Sequence, residues 1–187
     1  QSPSMQHIFG TDAHGRDLFI RVIYGTKVSL IVGIVASIIN FTIGVAYGGV
    51  AGYLGGRADN IMMRIVDVLS TIPLTLYVIL LMVWMPENRG MQNILVAIGT
   101  VYWIGMARIV RGQIFSLKEQ EYVMAERVLG ASGSRILFKH LIPNALGPII
   151  VNLTMSIPSA IFTEAFLSFI GLGISAPRAS LGSLCND

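Results

Sequence analysis

The sequence predicts an all-α fold: a polytopic bundle of transmembrane helices with a polar helix-turn-helix loop between the third and fourth spans. Hydrophobic residues make up 53% of the 187 residues and charged residues 12%, whereas a soluble domain carries roughly twice that share of charge. Four runs contain no Asp, Glu, Lys, Arg or His, and each has about the 18–20 residues or more that cross a bilayer: 28–56, 68–86, 90–107 and 141–163. Core helices of a soluble protein would need a polar shell that this composition lacks, so we predict four spans.

The segment before the first span is polar, and its pattern predicts a short amphipathic helix over 12–26. Two histidines and two aspartates in this segment allow two interpretations, a metal site or a solvated cap on that helix: His7, Asp12, His14 and Asp17. We favour the cap, because four such residues in a terminal segment carry little specificity, and we predict no metal site.

The first span is rich in glycine, and four glycines are spaced by four residues: Gly44, Gly48, Gly52 and Gly56. This spacing places them on one face of a helix, where small residues let a neighbouring helix approach closely. Glycine is also common in membrane helices in general, and packing is the interpretation that the regular spacing favours.

The remaining spans are marked by prolines and turns. Pro73 lies inside the second span and predicts a kink. The run from Pro86 to Gly90 predicts a tight turn before a third span over about Asn93–Ile109, and the fourth span is interrupted by Pro148 and Pro158. Residues 164–173 and then Pro177 predict a short helix and a turn near the far surface.

Few ionisable residues border the apolar runs. Asp67 follows Arg64 by three residues, which fits a surface ion pair or a role in gating. Arg108 and Arg111 end the third span, where either lipid phosphate or a protein partner fits. Glu164 is the most deeply placed acid, and we expect it at the outer mouth, facing protein or a water-filled pathway.

The loop that we bound at 116–143 is polar, basic and long for a simple connection. Ser116 and Glu119 have the spacing of a capping box. Three residues then share a helical face: Tyr122, Ala125 and Leu129. Gly130 is predicted to end this first helix, and Ser132 or Ser134 to cap a second one. Such a loop is typical of a surface that binds a soluble partner protein.

Within this loop Gly130 follows Ala125 by five residues, and Pro143 follows Gly130 by thirteen. This pattern resembles the EAA loop of ABC importer permeases. Other motifs resemble the di-/oligopeptide and nickel branch of that superfamily, most closely the C-type subunit of oligopeptide importers: Gly10-Thr11-Asp12, Gly15-Arg16-Asp17, Arg21, Tyr24-Gly25, Ser29-Leu30, Arg64, Asp67, Pro73, Leu167-Ser168-Phe169 and Gly171-Leu172-Gly173. The resemblance covers essentially the whole chain.

One position departs from this family pattern. The family has Glu-Ala-Ala where this chain has Met124-Ala125-Glu126. Two positions along an α-helix turn by about 200°, so Glu126 does not stand in for the family's glutamate.

The resemblance implies a permease subunit of an ATP-driven importer in the bacterial inner membrane, and not an enzyme. It implies three protein partners: a second, homologous permease subunit, cytoplasmic ABC ATPase subunits that bind ATP and Mg, and an external substrate-binding protein. It also implies one further span before residue 1 and one after residue 187. The chain itself has no Gly-Lys-Ser/Thr phosphate loop, so we expect no cofactor in it, and it has no aromatic-basic surface for nucleic acid.

Coupling to ATP hydrolysis is expected in the loop. Tyr122, Ala125 and Glu126 are expected to contact the ATPase, Leu129 to pack the two short helices and Gly130 to permit the bend. The substrate, a peptide or a related small solute such as nickel, is not specified by any residue.

Orientation follows from Lys and Arg alone. Alternating the loops places eight of the thirteen on the side of the 116–143 loop and five on the other side. The loop is therefore predicted to be cytoplasmic. Residues 28–173 form the transmembrane domain, and 1–27 and 174–187 are extracytoplasmic.

The alternative function is an ion-coupled secondary transporter or channel subunit. It would need ionisable groups within the spans, and the four charge-free runs argue against it. A membrane-embedded enzyme is a weaker alternative, because no cluster of catalytic residues lies within the runs.

Overall fold

The computed structural model describes residues 2–5, 7–12, 14–84, 90–173 and 180–186, and over these the all-α prediction is confirmed. The one strand-like contact among them is an isolated bridge between Thr11 and Asp17. The helical elements in chain order are α1 (Leu18–Leu54), α2 (Gly56–Thr71), α3 (Leu74–Trp84), α4 (Gly90–Val101), α5 (Trp103–Leu117), α6 (Glu121–Val128), α7 (Gly133–Arg135), a π-helical segment (Ile136–Leu141), α8 (Ile142–Asn144), α9 (Leu146–Phe169) and α10 (Leu181–Asn186).

Three helices in the described part of the chain are long and apolar enough to cross a membrane: Leu18–Leu54, Met91–Leu117 and Leu146–Phe169. A fourth span is present if the bent pair Gly56–Thr71 and Leu74–Leu81 counts as one. Met91–Leu117 comprises α4 and α5, which are separated only by Tyr102. With the bent pair counted as one span, the number agrees with the four predicted.

The first span begins earlier than predicted. The described residues of 12–26 form no separate amphipathic helix, and α1 is one continuous helix of 37 residues that begins at Leu18. At about 1.5 Å per residue it exceeds the thickness of the hydrocarbon core. Its start is set by Asp17, whose Oδ1 accepts the backbone N–H groups of Phe19 and Ile20 at 2.8 and 3.3 Å, as an N-cap residue does.

The polar segment before α1 is ordered by its two carboxylates. Asp12 Oδ2 accepts from Arg16 Nε at 2.7 Å and from an Arg21 guanidinium nitrogen at 2.6 Å. Burial raises the pKa of Asp12, but hydrogen bonds from Arg16 and His14 outweigh it and lower that pKa to about 2. The described residues include no group of three or more His, Cys, Asp or Glu that could hold a metal ion.

The second span is broken at Pro73, where a kink was predicted. α2 ends at Thr71, and Ile72 is extended with φ −85° and ψ 120°. A residue before proline is pushed out of the helical region by the proline ring, which explains why the chain leaves the helix instead of bending within it.

Other predicted boundaries also shift. α9 runs unbroken through Pro158 to Phe169, so 164–173 does not form a separate short helix, and Pro148 lies in the first turn of α9, where proline is tolerated. The predicted turn at 86–89 and Pro177 lie outside the described residues, and the predicted segment 174–187 is described only from residue 180.

The chain divides into two compact units. One comprises 1–35, 74–98 and 157–187, and the other comprises 36–73 and 99–156. A buried cluster in the first unit consists of Val78, Ala97 and Leu167. The core of the second unit joins α1, α5, the 116–143 loop and α9: Val45, Met106, Val110, Ile114, Val123, Ile136, Leu137, Leu141, Ala145 and Ile149. The loop is thus part of that core through its inward side chains.

Candidate functional site

The first short helix of the loop, α6, begins without a side-chain cap. Ser116 lies inside α5, and the N-cap of α6 is Gln120, whose side chain makes no capping bond. The predicted capping box of Ser116 and Glu119 is therefore wrong. The reason is that α5 continues to Leu117, which leaves Ser116 in a helix that is ending rather than beginning.

α6 ends in a Schellman motif built on Gly130. Its φ of 81° lies in the left-handed region, which glycine adopts at no steric cost. The N–H of Gly130 donates to the carbonyl of Arg127, and the N–H of Ala131 donates to that of Glu126, both at 3.0 Å. These two bonds define the motif and fix the angle at which the chain leaves α6.

The second short helix starts at once. Ser132 Oγ accepts from the backbone N–H of Arg135 at 3.4 Å and caps α7. α7 continues into the π-helical segment and then α8, with Pro143 as its second residue. A Cβ on Gly133 would lie 2.8 Å from the hydroxyl oxygen of Tyr53, so this helix docks closely against α1.

The side chains of the 116–143 loop point in two directions, into the core and away from it. Val123 of α6 is buried together with Ile136 and Leu137 of the π-helical segment. The outward face of α6 carries large apolar side chains that are exposed: Tyr122, Met124, Val128 and Leu129. Ala125 is also exposed.

The predicted packing role of Leu129 is wrong, because its side chain is 82% exposed. Val123 joins the two short helices instead. The helical face of Tyr122, Ala125 and Leu129 exists, but it points away from the protein, and sequence spacing alone gives the face without its direction.

Glu126 contacts the second short helix of its own chain. Its Oε1 lies 3.4 Å from His140 Nε2, and both side chains are about one quarter exposed, at 27% and 23%. His140 was not among the sequence-predicted site residues. The signal for it is weak in the sequence, since fourteen residues separate the pair.

Glycines of α1 form a close contact with α5. A Cβ would lie 2.5 Å from Met106 Cβ if added to Gly44, and 2.2 Å from the Ala107 carbonyl oxygen if added to Gly48. At Gly52 it would lie 2.8 Å from the carbonyl oxygen of Arg111. Three of the four predicted glycines therefore lie in this interface.

Gly56 is the exception, and its predicted place on the packing face is wrong. It is the first residue of α2, has a φ of 55°, and an added Cβ would meet nothing within 4 Å. α1 ends at Leu54 before the fourth repeat of the spacing, so Gly56 serves the turn between the helices.

Two ion pairs connect α2 with α5. Asp59, nearly buried, is bound by Arg111 through two hydrogen bonds, the one from Nε at 2.6 Å. Asp67 pairs with Arg108 at 3.0 Å, and not with Arg64 as predicted. The side-chain direction of Asp67 is set by the neighbouring helix, which the local spacing in the sequence does not reveal.

Glu164 is buried within protein, with no exposed surface. Ser29 and Ser168 each donate a hydroxyl hydrogen bond to its carboxylate at 2.7 Å. Of the two environments expected, protein and water, the structure shows protein. Both serines belong to motifs that carry the family resemblance, but neither was a candidate site residue, because nothing in the sequence links Ser29 to a residue 135 positions away.

Residues 42–187 match the family described as "Binding-protein-dependent transport system inner membrane component". The chain is 56% identical over 99% of its length to the dipeptide transport system permease protein DppC of Bacillus subtilis and 52% identical, over the same share, to the oligopeptide permease protein OppC of that organism. It spans 57% and 60% of those two relatives.

A solved structure shares the fold. The chain aligns with a chain of the MetNI methionine ABC transporter, in a structure titled as inward facing, with a TM-score of 0.74 and 21% identity. The alignment covers 89% of this chain and 79% of the other.

Proposed function

The chain belongs to the family of binding-protein-dependent transport system inner membrane components, and we propose that it is the membrane-spanning permease subunit of an ATP-driven importer of peptides. The peptide substrate is proposed from the names of the relatives, which transport dipeptides and oligopeptides. The bacterial inner membrane is the matching location.

The observation that supports this proposal most strongly is the two-sided character of α6. Its inward side chain, Val123, is in the core with α5 and α9, while Tyr122, Met124, Val128 and Leu129 leave apolar surface outside. A helix that is anchored on one side and apolar on the other suits docking into a cleft of a soluble protein.

The proposed partner at this face is a cytoplasmic ATPase subunit, which binds ATP and Mg. Because Gly130 and Ser132 fix the angle between the two short helices, the pair moves as one lever when the ATPase subunits close. Val123, Ile136 and Leu137 carry that motion into the core and so to α5 and α9.

The transport cycle is then one of alternating access. A second, homologous permease subunit completes the pathway, and an external binding protein delivers the peptide. Tyr122, Ala125 and Leu129 make the ATPase contact in this proposal, and Pro143 lies in the first turn of α8 at the far end of the lever. Asp67 and Pro73 lie where α2 meets α5 and where the second span breaks, positions suited to gating.

Substituting Gly130 tests this proposal. Gly130→Val places a β-branched residue in a left-handed conformation, at a cost of about 1–2 kcal/mol, and misaims the second short helix. We expect the spans to insert normally, while uptake and substrate-stimulated ATP hydrolysis both fall in the reconstituted complex.

Gly130→Asn is the matched control, because asparagine tolerates the left-handed region and an added Cβ meets no atom within 4 Å here. We expect it to transport nearly as well as the wild type. Normal uptake by Gly130→Val would contradict the coupling role of the loop.

A further inference from the structure

Glu164 forms a hydrogen-bonded joint between two helices of the same unit. Ser29 Oγ of α1 donates to Glu164 Oε2, and Ser168 Oγ of α9 donates to Glu164 Oε1, both at 2.7 Å. All three residues are buried. A buried carboxylate has no water to replace its protein donors, so the position of Glu164 is tied to that of Ser29.

The joint extends to α10. The backbone N–H of Leu181, the first residue of α10, donates to Ser29 Oγ at 3.4 Å. An N–H group is a donor only, whereas a hydroxyl both accepts and donates. The hydrogen-bond chain therefore has one direction: from α10 to Ser29, and from Ser29 to Glu164.

Close backbone contacts hold α10 from both sides. A Cβ on Gly182 of α10 would lie 2.1 Å from the carbonyl oxygen of Ala165 in α9. A Cβ on Gly25 of α1 would lie 3.1 Å from the carbonyl carbon of Ser180. Leu184 of α10 also packs at this point, with its Cδ1 3.2 Å from the Cβ built on Gly25. To this close packing the hydrogen bond from Leu181 to Ser29 adds a directional contact between α10 and α1.

We propose that Glu164 is a positioning residue for transport: through Ser29 it fixes α10 against α1 and α9, and the passage of substrate requires this arrangement. The inference rests on the proposed importer function. It deepens that function, because it names a joint whose loss is expected to reduce the passage of substrate while ATP hydrolysis continues.

The chain contains a built-in reporter of α10. Cys185 is the single cysteine of the sequence, and it lies exposed on α10. A nitroxide spin label on Cys185, in a complex whose other subunits lack cysteine, reports the mobility of α10 by electron paramagnetic resonance.

Two serine variants separate the joint from general loss of polarity. Ser29→Ala removes the link between α10 and Glu164, so we expect a mobile component to appear in the spectrum. Ser168→Ala removes a hydrogen bond from the same carboxylate but leaves the Ser29 link, so we expect an immobile label. Phe162→Leu, at a side chain 79% exposed on α9, controls for substitution as such.

Uptake completes the test. Glu164→Ala leaves buried hydroxyls without their acceptor, and we expect uptake to fall on the order of tenfold or more while ATP hydrolysis continues. Glu164→Gln keeps one acceptor and adds a donor that a serine hydroxyl can accept, so we expect an immobile label and nearly full uptake.

An unchanged spectrum in Ser29→Ala, or equal mobility in Ser29→Ala and Ser168→Ala, would overturn the joint. A mobile α10 with full uptake would overturn its role in transport and leave the importer function intact. If Gly130→Val transports normally instead, the coupling proposal fails, while the spin label still reports whether Glu164 anchors α10.

Discussion

At the scale of single residues, Glu126 contacts a residue of its own chain, while its predicted contact with the ATPase stays a prediction. Its carboxylate reaches His140 on the second short helix at 3.4 Å. The pair is therefore a second connection between the two short helices, beside the apolar contact of Val123 with the π-helical segment. A connection within the lever tolerates loss better than the turn on which the lever depends.

We expect Glu126→Ala to reduce coupled uptake less than Gly130→Val does. Both side chains are partly exposed. An ion pair in such a place, which this contact becomes only when His140 is protonated, contributes about 0.2–1 kcal/mol. Uptake and ATPase rate should be measured for Glu126→Ala, His140→Ala and the double variant. If the contact matters, the double variant is no worse than either single one.

Strictly additive losses in those three variants would contradict the contact. They would return Glu126 to the role expected from the sequence, a direct contact with the ATPase. Arg127→Ala is the control, because it removes a neighbouring exposed charge of α6 without touching the pair.

At the scale of elements, the glycine spacing identified the face of α1 that packs against another helix, but it did not identify where α1 ends. Gly44, Gly48 and Gly52 contact α5, because three repeats of four residues stay on one helix face. Gly56 has the same spacing and lies in another helix. Regular spacing in the sequence predicts a shared face only for residues of one continuous helix. The end of α1 depends on the turn at Gly55 and Gly56.

We expect Gly48→Ala to impair folding or assembly. The new Cβ would lie 2.2 Å from the carbonyl oxygen of Ala107, and relieving such an overlap costs roughly 1–3 kcal/mol. Gly112→Ala is the matched control, since Gly112 lies on α5 with nothing within 4 Å of an added Cβ. The yield of folded protein and its melting temperature in detergent measure both.

Gly112→Ala should be neutral or stabilising, because alanine favours a helix over glycine by about 1 kcal/mol. Equal tolerance of alanine at positions 48 and 112 would mean that the glycine face contributes nothing beyond composition.

The two short helices show which local features a sequence reveals. Gly130 and Ser132 were identifiable, because a C′ glycine and a serine cap act through bonds to residues within five positions. The start of α6 and the direction of Leu129 were not, since the first depends on where α5 ends and the second on which side meets the core.

At the scale of the whole molecule, the apolar runs predicted the spans because membrane insertion depends on composition over about 20 residues. The contacts that hold the elements together were not predictable in the same way. Asp59 with Arg111 and Ser29 with Glu164 join residues 52 and 135 positions apart. Each polar residue has several potential partners in the sequence, and only the packing of the helices selects one.

The orientation of the molecule in the membrane is the broadest prediction that remains to be tested. The Lys and Arg distribution places Ser132 in the cytoplasm and Cys185 outside. In the wild-type chain Cys185 is exposed on α10. It should react in intact cells with a thiol reagent that passes the outer layers of the cell but does not cross the inner membrane. In the double variant Ser132→Cys, Cys185→Ser the new thiol lies on the exposed connection between α6 and α7, so the reagent can reach it from the cytoplasm. It should therefore react only after the inner membrane is opened. Labelling of the double variant in intact cells, or protection of the wild type there, would reverse the topology. A reversed topology would place the apolar face of α6 on the side opposite to any cytoplasmic ATPase, so the same pair of measurements decides whether that face is in a position to couple.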